Sequence, residues 1–226
     1  MSSQTKAVVA FDLYDTLLST ASISKKLEPV LDANTAHSLS LLWRRYQLEY
    51  TWRLNSLAGD LQVKLNQKQI DNLMTAYDSL STFPDVEKAL ERIRSSSVLT
   101  AVIFSNGQKS MVENSVLRSA DLGPQAATFD KIVTVDSVKK YKPTPDVYQY
   151  LAAQVGKAPH QLKDIWLVSG NPFDITGSKN AGLNAAWVDR SGLGWRDGVI
   201  ADGAPTVSAE NIDDLMVKIE EYVRNA

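Results

Sequence analysis

Acidic, basic and hydroxyl side chains follow four apolar runs of the chain, at the points where buried strands would end. Asp12 comes directly after the run at 7–11, and Ser105, Lys142 and the segment 169–174 follow later runs. Each alone has an ordinary explanation as a turn or helix-entry residue. Together they predict one site, because open α/β sheets bind ligands beyond the carboxyl ends of their strands. A carboxylate there can act as a nucleophile or a base, and a neighbouring lysine would keep it ionised.

Composition narrows this chemistry further. The 226 residues include no cysteine and two histidines, His37 and His160, which argues against thiol chemistry and against zinc. A formal net charge of −2 offers no positive field for nucleic acid. The apolar run at 7–11 is too short for a signal-peptide core, and no run approaches the roughly 20 residues of a membrane span. We therefore expect a cytoplasmic protein with neither nucleic acid nor a membrane as partner.

Alternating patterns indicate how the chain positions these groups. Apolar, β-branched runs that predict buried strands lie at 7–11, 99–104, 131–135, 165–168 and 185–188. Helical patterns between and after the later runs lie at 109–120, 145–155, 175–181 and 212–223. Strands that alternate with helices predict an α/β fold with a doubly wound parallel sheet.

The connection between the first two strands is much longer than the dozen or so residues that a simple crossover needs. Apolar residues between 39 and 57 step by three and four, which predicts a long amphipathic helix. Further helical patterns lie at 24–32, 68–80 and 84–94. We therefore expect a small α-helical cap at residues 18–82, inserted into a Rossmann-like core formed by 1–17 and 83–226. The cap would cover the carboxyl edge of the sheet.

The segments after the strands resemble the four motifs of the haloacid dehalogenase superfamily, and most closely those of its L-2-haloacid dehalogenase (type II) branch. Tyr14 stands where the phosphatases of the superfamily carry the second aspartate of Asp-x-Asp. The segment 169–174, Ser-Gly-Asn-Pro-Phe-Asp, is similar to the dehalogenase pattern Ser-x-Asn-x-Trp-Asp. The segment 42–52 looks like the cap helix that brings an arginine, here Arg44, over the active site. The resemblance implies hydrolysis of L-2-haloacids to D-2-hydroxy acids, without a metal or cofactor.

The resemblance also implies a role for individual residues. Asp12 would displace the halide and form an ester on the enzyme, and Asp174 would direct water onto that ester. The other implied catalytic residues are Thr16, Arg44, Ser105, Lys142, Tyr148, Ser169 and Asn171. Arg44 and Asn171 would receive the halide. The implied substrate-binding residues are Leu13, Tyr14, Leu48, Ser105, Asn106 and Phe173.

The substitutions that separate this chain from the phosphatases make chemical sense by themselves. Expulsion of an alkoxide from a phosphate ester benefits from a general acid, and the phosphoryl dianion benefits from magnesium. A halide leaves without a proton, and a 2-haloacid carries one negative charge. Tyr14 in place of an acid and Asn171 in place of a metal-binding charge therefore fit dehalogenation.

Other features keep two alternatives open. Asp15 replaces the usual glycine, Phe173 replaces the usual tryptophan, and the cap is shorter than usual between 57 and 73. A magnesium-dependent phosphatase could use Asp12, Asp174 and Asp15 as metal ligands. A non-enzymatic protein could instead bind a partner through the cap. Aromatic residues of the cap, Tyr50 and Trp52, also make a homodimer plausible.

Overall fold

A parallel sheet with helices on both faces forms the frame of the protein. The computed structural model describes residues 6–29, 31–49, 68, 76–198 and 202–226, with backbone alone at 42–49 and at 77. The described strands are β1 (Ala7–Phe11), β2 (Leu99–Ser105), β3 (Phe129–Thr134), β4 (Ile165–Ser169), β5 (Asn184–Val188) and β6 (Val207–Ala209). They pair in parallel in the order β3-β2-β1-β4-β5-β6.

Helices surround this sheet and fill the connections between its strands. The described α-helices are α1 (Ser24–Leu27), α2 (Ala33–Glu49), α3 (Val86–Ser95), α4 (Lys109–Leu117), α5 (Pro145–Gln154), α6 (Pro172–Asn180) and α7 (Ile212–Asn225). Short 3-10 helices lie at Thr20–Ile23, Tyr77–Ser79, Gly123–Thr128, Val135–Ser137 and Pro159–Asp164. Across the described ranges, no helix is long and apolar enough to cross a membrane.

Burial on both faces explains why the central strands are continuous apolar runs. Every residue of β1, β4 and β5 is buried. Val9 and Phe11 belong to the core under α3 and α7, whereas Val8 and Ala10 belong to the core under α5. The α/β fold class and the parallel sheet expected from the sequence are confirmed.

The differences from the predicted elements have local causes. The sequence patterns missed β6, because Val207–Ala209 is a three-residue, partly exposed edge strand without a long apolar run. The predicted start of α6 at 175 was wrong. The helix begins at Pro172, because the fixed φ and missing N–H of proline suit the first turn.

The chain passes twice between the core and the inserted segment, and these two stretches pair with each other. Ser19 donates its N–H to the Ser81 carbonyl (2.8 Å), and Phe83 donates to the Leu17 carbonyl (3.1 Å). Leu18 and Thr82 form an antiparallel bridge between these bonds. We call residues 17–19 and 81–83 the linker ribbon. Its position agrees with a cap at 18–82, which stays a prediction because the predicted helical segments at 50–57 and 69–75 lie outside the described residues.

Strand register places the candidate residues at one edge. Phe11 is level with Ile103 of β2 and with Val168 of β4. Asp12 therefore leaves the sheet between the ends of these two neighbouring strands. Asp12 also donates its backbone N–H to the Val168 carbonyl, over 2.9 Å.

Gly177 of α6 lies where the helix passes closest to the loop that carries Lys142. A Cβ atom there would lie 2.6 Å from Pro143 Cβ and 2.6 Å from Tyr148 Oη. We expect Gly177→Ala to lower the Tm, because an overpacking cost of about 1–3 kcal/mol exceeds the helix-propensity gain of about 1 kcal/mol. Thermal unfolding followed by circular dichroism measures this.

The matched control is Gly198→Ala, since a Cβ at Gly198 would meet nothing within 4 Å. We expect that variant to keep the wild-type Tm. Equal Tm values for the two variants would contradict the close approach at Gly177.

Candidate active site

Polar groups at the ends of the strands form hydrogen bonds that converge on Asp12. Its side chain is buried, and Oδ2 accepts hydrogen bonds from Asn171 Nδ2 (2.8 Å) and Thr16 Oγ1 (3.1 Å). Ser169 Oγ donates to the same oxygen at the limiting distance of 3.5 Å. These donors come from the turn after β1 and from the loop after β4. The carboxylate is therefore held in one orientation by two separate segments.

Lys142 connects Asp12 with Asp174. Its Nζ donates to Asp12 Oδ1 (3.1 Å), to Asp174 Oδ2 (2.8 Å) and to the Phe104 carbonyl (2.8 Å). The ammonium group also lies 4.3 Å from the centre of the Phe104 ring, a cation–π contact. These contacts match the three N–H donors of a lysine ammonium. The positive charge of Lys142 thus lies between the two carboxylates and bonds to both.

Asp174 lies in the first turn of α6 and is almost completely buried. Its second oxygen, Oδ1, accepts a hydrogen bond from Tyr148 Oη over 2.7 Å. Tyr148 is fully buried in α5 and packs edge-on against Phe104, with ring centroids 5.8 Å apart. Lys142 and Tyr148 together fix both oxygens of Asp174.

Burial and the neighbouring charges shift the protonation of this group. Burial raises the pKa of Asp174, and the Asp12 carboxylate adds to that rise, against the opposing effect of Lys142. Burial alone would lower the pKa of Lys142, but the two carboxylates outweigh it and hold this pKa above its ordinary value. Burial, followed by the charge of Asp174, also raises the pKa of Tyr148, which keeps its hydroxyl protonated. Lys142 is therefore the cation that opposes the rise in the pKa of Asp174.

Hydrogen bonds between the loops hold them in register. Between the two loops, Thr16 Oγ1 accepts the Gly170 N–H over 3.0 Å. Within the loop after β4, Ser169 Oγ accepts the Asn171 N–H over 3.1 Å. The Gly170 position requires glycine, since a Cβ would lie 2.7 Å from the Asp15 carbonyl oxygen. The turn after β1 and the loop after β4 thus approach each other through backbone and hydroxyl groups.

The structure therefore brings together most of the residues that the sequence indicated as catalytic. One connected hydrogen-bond network contains Asp12, Thr16, Lys142, Tyr148, Ser169, Asn171 and Asp174. Ser105 ends β2 beside this network, and its Oγ accepts the Gly107 N–H at 3.1 Å. Asn106 Oδ1 accepts the backbone N–H of Lys142 over 2.8 Å, which positions the lysine. The chemical roles of these residues stay predictions.

The residues expected to contact substrate have different surroundings. Leu13 is buried in the core. Tyr14 also belongs to that core, and its hydroxyl forms a 2.9 Å hydrogen bond with Ser115 of α4. Phe173 is 36% exposed, at the start of α6. Arg44 and Leu48 lie in α2, but their side chains lie outside the described residues. Substrate contact by all five stays a prediction.

Asp15 adopts the backbone conformation for which glycine is usually selected. Its φ is +64°, and its Oδ1 accepts a 2.7 Å hydrogen bond from Thr20 Oγ1. Aspartate tolerates this left-handed region better than most residues with a Cβ. The turn after β1 therefore accommodates an aspartate at the position where the resembled family usually has glycine.

A divalent metal ion fits this arrangement poorly. The implied carboxylate ligands, Asp12 and Asp174, already share the Lys142 ammonium, and their remaining oxygens accept hydrogen bonds from neutral donors. Among the described residues, no three His, Asp or Glu side chains form a group that could hold a metal ion. That the reaction proceeds without a metal stays a prediction.

Two parts of this site were not found from the sequence. The Phe104 carbonyl accepts a hydrogen bond from Lys142, and a backbone oxygen leaves no trace in residue type. Arg190 donates to the Thr16 carbonyl over 3.0 Å. Arg190 lies two residues beyond the fifth apolar run, 185–188. That position was a usable signal, because the other site residues also follow strand ends.

Comparisons with known proteins agree with this geometry. The family model for haloacid dehalogenase-like hydrolases matches residues 6–182. The (S)-2-haloacid dehalogenase H-109 of Pseudomonas putida is 33% identical over 202 residues, covering 81% of this chain and 86% of the relative. The (S)-2-haloacid dehalogenase 4A of Burkholderia cepacia is 31% identical over 199 residues, covering 80% and 82%. The solved L-2-haloacid dehalogenase of Xanthobacter autotrophicus superposes with a TM-score of 0.79 at 25% identity, covering 95% of this chain and 98% of that chain.

Removal of the Lys142 charge tests the electrostatic balance of the site. In Lys142→Met the buried acids lose their cation, so the already raised pKa of Asp174 rises further and its ionised form destabilises the fold. We expect a loss of about 3–5 kcal/mol in the free energy of unfolding near neutral pH. The loss shrinks as the pH falls toward about 4, because the acids are then protonated in the unfolded chain as well. Urea unfolding across this pH range measures it.

Lys157→Met is the matched control. Lys157 is also a buried lysine, but its partner Asp164 has a side chain that is 43% exposed. We expect a smaller loss with little pH dependence, since an exposed carboxylate remains solvated without its partner. The same pH dependence in both variants would show that Lys142 does not govern the ionisation of the two buried acids.

Proposed function

Since the chain belongs to the haloacid dehalogenase-like hydrolase family, we propose that it hydrolyses the carbon–halogen bond of L-2-haloacids and forms D-2-hydroxy acids. The observation that carries this proposal is the Asp12 carboxylate, held by Lys142 on one oxygen and by Asn171 and Thr16 on the other. The relatives named (S)-2-haloacid dehalogenase support the same reaction and the same enzyme class.

In the first step, an oxygen of Asp12 attacks C2 of the substrate in line with the carbon–halogen bond. The carbon–oxygen bond forms as the halide leaves with the bonding electron pair, which inverts the configuration at C2. Fixed orientation of the nucleophile lowers the entropic part of the barrier. The hydrogen bonds from separate loops to Asp12 support this role.

No general acid is needed when a halide leaves. The residue that takes the place of the phosphatase acid, Tyr14, has its hydroxyl bonded to Ser115 in the core. In this proposal the halide is received by neutral and cationic donors, Asn171 from the loop after β4 and Arg44 from the cap. Leu48, Tyr14 and Phe173 would provide the apolar surroundings of the substrate, and Ser105, Asn106 and the backbone at Leu13 would bind its carboxylate.

In the second step, water attacks the carbonyl carbon of the Asp12 ester. Asp174 accepts one proton from this water and returns it to the C2 oxygen of the product as the bond between that oxygen and the Asp12 carbonyl carbon breaks. The second proton of the water is released to solvent as the Asp12 carboxylate is regenerated. A raised pKa suits a general base, because it brings the proton affinity of the group closer to the working pH. Lys142 and Tyr148 keep Asp174 in place during this step.

The first test measures halide release from each enantiomer of 2-chloropropionate, with excess EDTA present. We expect release from the L enantiomer alone, at a rate that EDTA leaves unchanged, since the proposed steps use no metal. Asp12→Asn should reduce the rate at least a thousandfold, because an amide is a poor nucleophile.

Asp15→Asn is the matched control for Asp12→Asn. It removes the neighbouring carboxylate, and asparagine also tolerates the positive φ of this position. We expect it to keep most of the activity. Magnesium-dependent hydrolysis of phosphate esters in place of halide release would sink the proposal in favour of the phosphatase alternative. Absence of both reactions would favour the binding-protein alternative.

The ester intermediate has its own test, a single turnover in ¹⁸O-labelled water with enzyme in excess. If water attacks the ester carbonyl, the label enters the Asp12 carboxylate and the first product carries unlabelled oxygen. Mass spectrometry of the peptide that contains Asp12 measures the label. Label in the first product would instead show direct displacement of the halide by water.

A further inference from the structure

Arg190 lies just beyond β5, outside the hydrogen-bond network around Asp12. Its side chain is 24% exposed, and it reaches back to the linker ribbon. The guanidinium carbon lies 3.8 Å from the centre of the Phe83 ring, on the returning strand of the ribbon. Nη2 donates to the Thr16 carbonyl (3.0 Å), and Nη1 donates to Asp85 Oδ1 (2.8 Å). One guanidinium thus contacts the chain at both ends of the inserted segment.

The contact with Thr16 links Arg190 to the nucleophile. Thr16 Oγ1 donates to Asp12 Oδ2 and also accepts the Gly170 N–H. A shift of the Thr16 backbone would therefore move a donor of Asp12 and loosen the loop that carries Asn171. The hydrogen bond from Arg190 is to the Thr16 carbonyl, and it is Thr16 that bonds to Asp12.

The other side of Arg190 is anchored in the core. Asp85, which pairs with Nη1, accepts the backbone N–H of Ile212 on its second oxygen at 2.6 Å. Ile212 begins α7 and is fully buried. On one side the guanidinium bonds to Asp85, which is fixed to the buried start of α7. On the other side it bonds to the turn that carries Thr16. The planar guanidinium of Arg190 donates both hydrogen bonds while it stacks on the Phe83 ring. A lysine ammonium has no such plane, so lysine cannot replace arginine here.

We propose that Arg190 is a positioning residue for Asp12, acting through Thr16 and clamping the linker ribbon to the core. Its kinetic consequence rests on the proposed function, whereas its effect on the ribbon does not. The competing explanation is a purely structural ion pair between Arg190 and Asp85. Such a pair would contribute to stability without changing the chemical step.

Halide-release kinetics of Arg190→Gln and Arg190→Lys separate these explanations. We expect Arg190→Gln to lower kcat roughly tenfold with KM within about twofold, because a misplaced nucleophile weakens the transition state more than substrate binding. Arg190→Lys keeps the charge beside Asp85 but loses the fork, and we expect kcat to stay low. Recovery of wild-type kcat in Arg190→Lys would overturn the proposal, since charge alone would then suffice.

The route through Thr16 is tested by a double-mutant cycle. Thr16→Val removes the hydroxyl that donates to Asp12 and keeps the carbonyl that Arg190 contacts. If Arg190 acts through that hydroxyl, Arg190→Gln lowers kcat much less in the Thr16→Val background than in the wild type. A tenfold loss in both backgrounds would overturn the proposed route.

Arg92→Gln is the matched control for loss of a partly buried arginine–aspartate pair. Arg92 of α3 pairs with Asp213 of α7 at 3.0 Å, and its side chain is 34% exposed. This pair lies outside the contacts of Thr16 and the linker ribbon. We expect Arg92→Gln to lower the Tm at most modestly and to leave kcat and KM at their wild-type values.

Amide hydrogen exchange separates failure of this inference from failure of the proposed function. The N–H groups of Ser19 and Phe83 close the linker ribbon, and we expect Arg190→Gln to speed their exchange about tenfold, with no change in Arg92→Gln. If wild-type protein releases no halide, the proposed function fails and this exchange decides whether Arg190 clamps the ribbon. Unchanged exchange at both amides would overturn the clamp.

Discussion

The Lys142 ammonium between Asp12 and Asp174 is the interaction on which the rest of the site depends. Both carboxylates contact this one ammonium group, whose charge offsets the electrostatic cost of burying them together. Lys142 is in turn positioned by Asn106 and by the carbonyl of Phe104 at the end of β2. The charge balance of the site therefore depends on the spacing of strand ends in the sheet.

Parallel pairing supplies that spacing. β1 lies between β2 and β4, so the turn that carries Asp12 emerges beside the Phe104 carbonyl and beside the loop with Ser169 and Asn171. Polar side chains of these loops bond to the neighbouring loops, so the loops together form one hydrogen-bonded layer. The same layer includes the turn at Asp15, whose positive φ brings its carbonyl close to Gly170. Rigid strands and close loop contacts thus fix the position of the Asp12 carboxylate.

The linker ribbon connects this layer to the inserted segment. Thr16 belongs to the Asp12 network, and the next residues, 17–19, already pair with 81–83. The pairing at the base of the inserted segment therefore lies within a few residues of Asp12. Arg190 lies at this junction. Its guanidinium contacts the Thr16 carbonyl, the Phe83 ring of the ribbon and Asp85, which in turn accepts the N–H of Ile212 at the start of α7.

The sequence by itself determined strands β1 to β5, most of the described helices and the residues at strand ends, because hydrophobic periodicity and breaker residues are local signals. The run at 7–11 coincides with β1, and Asp12, Lys142 and Asp174 were identifiable from their places after such runs. Only the tertiary structure decided which groups touch. Asn171 donates to Asp12 across 159 positions of sequence, the Tyr14 hydroxyl meets Ser115, and Arg190 reaches back to Thr16. These contacts depend on strand order and side-chain direction, which no local pattern encodes.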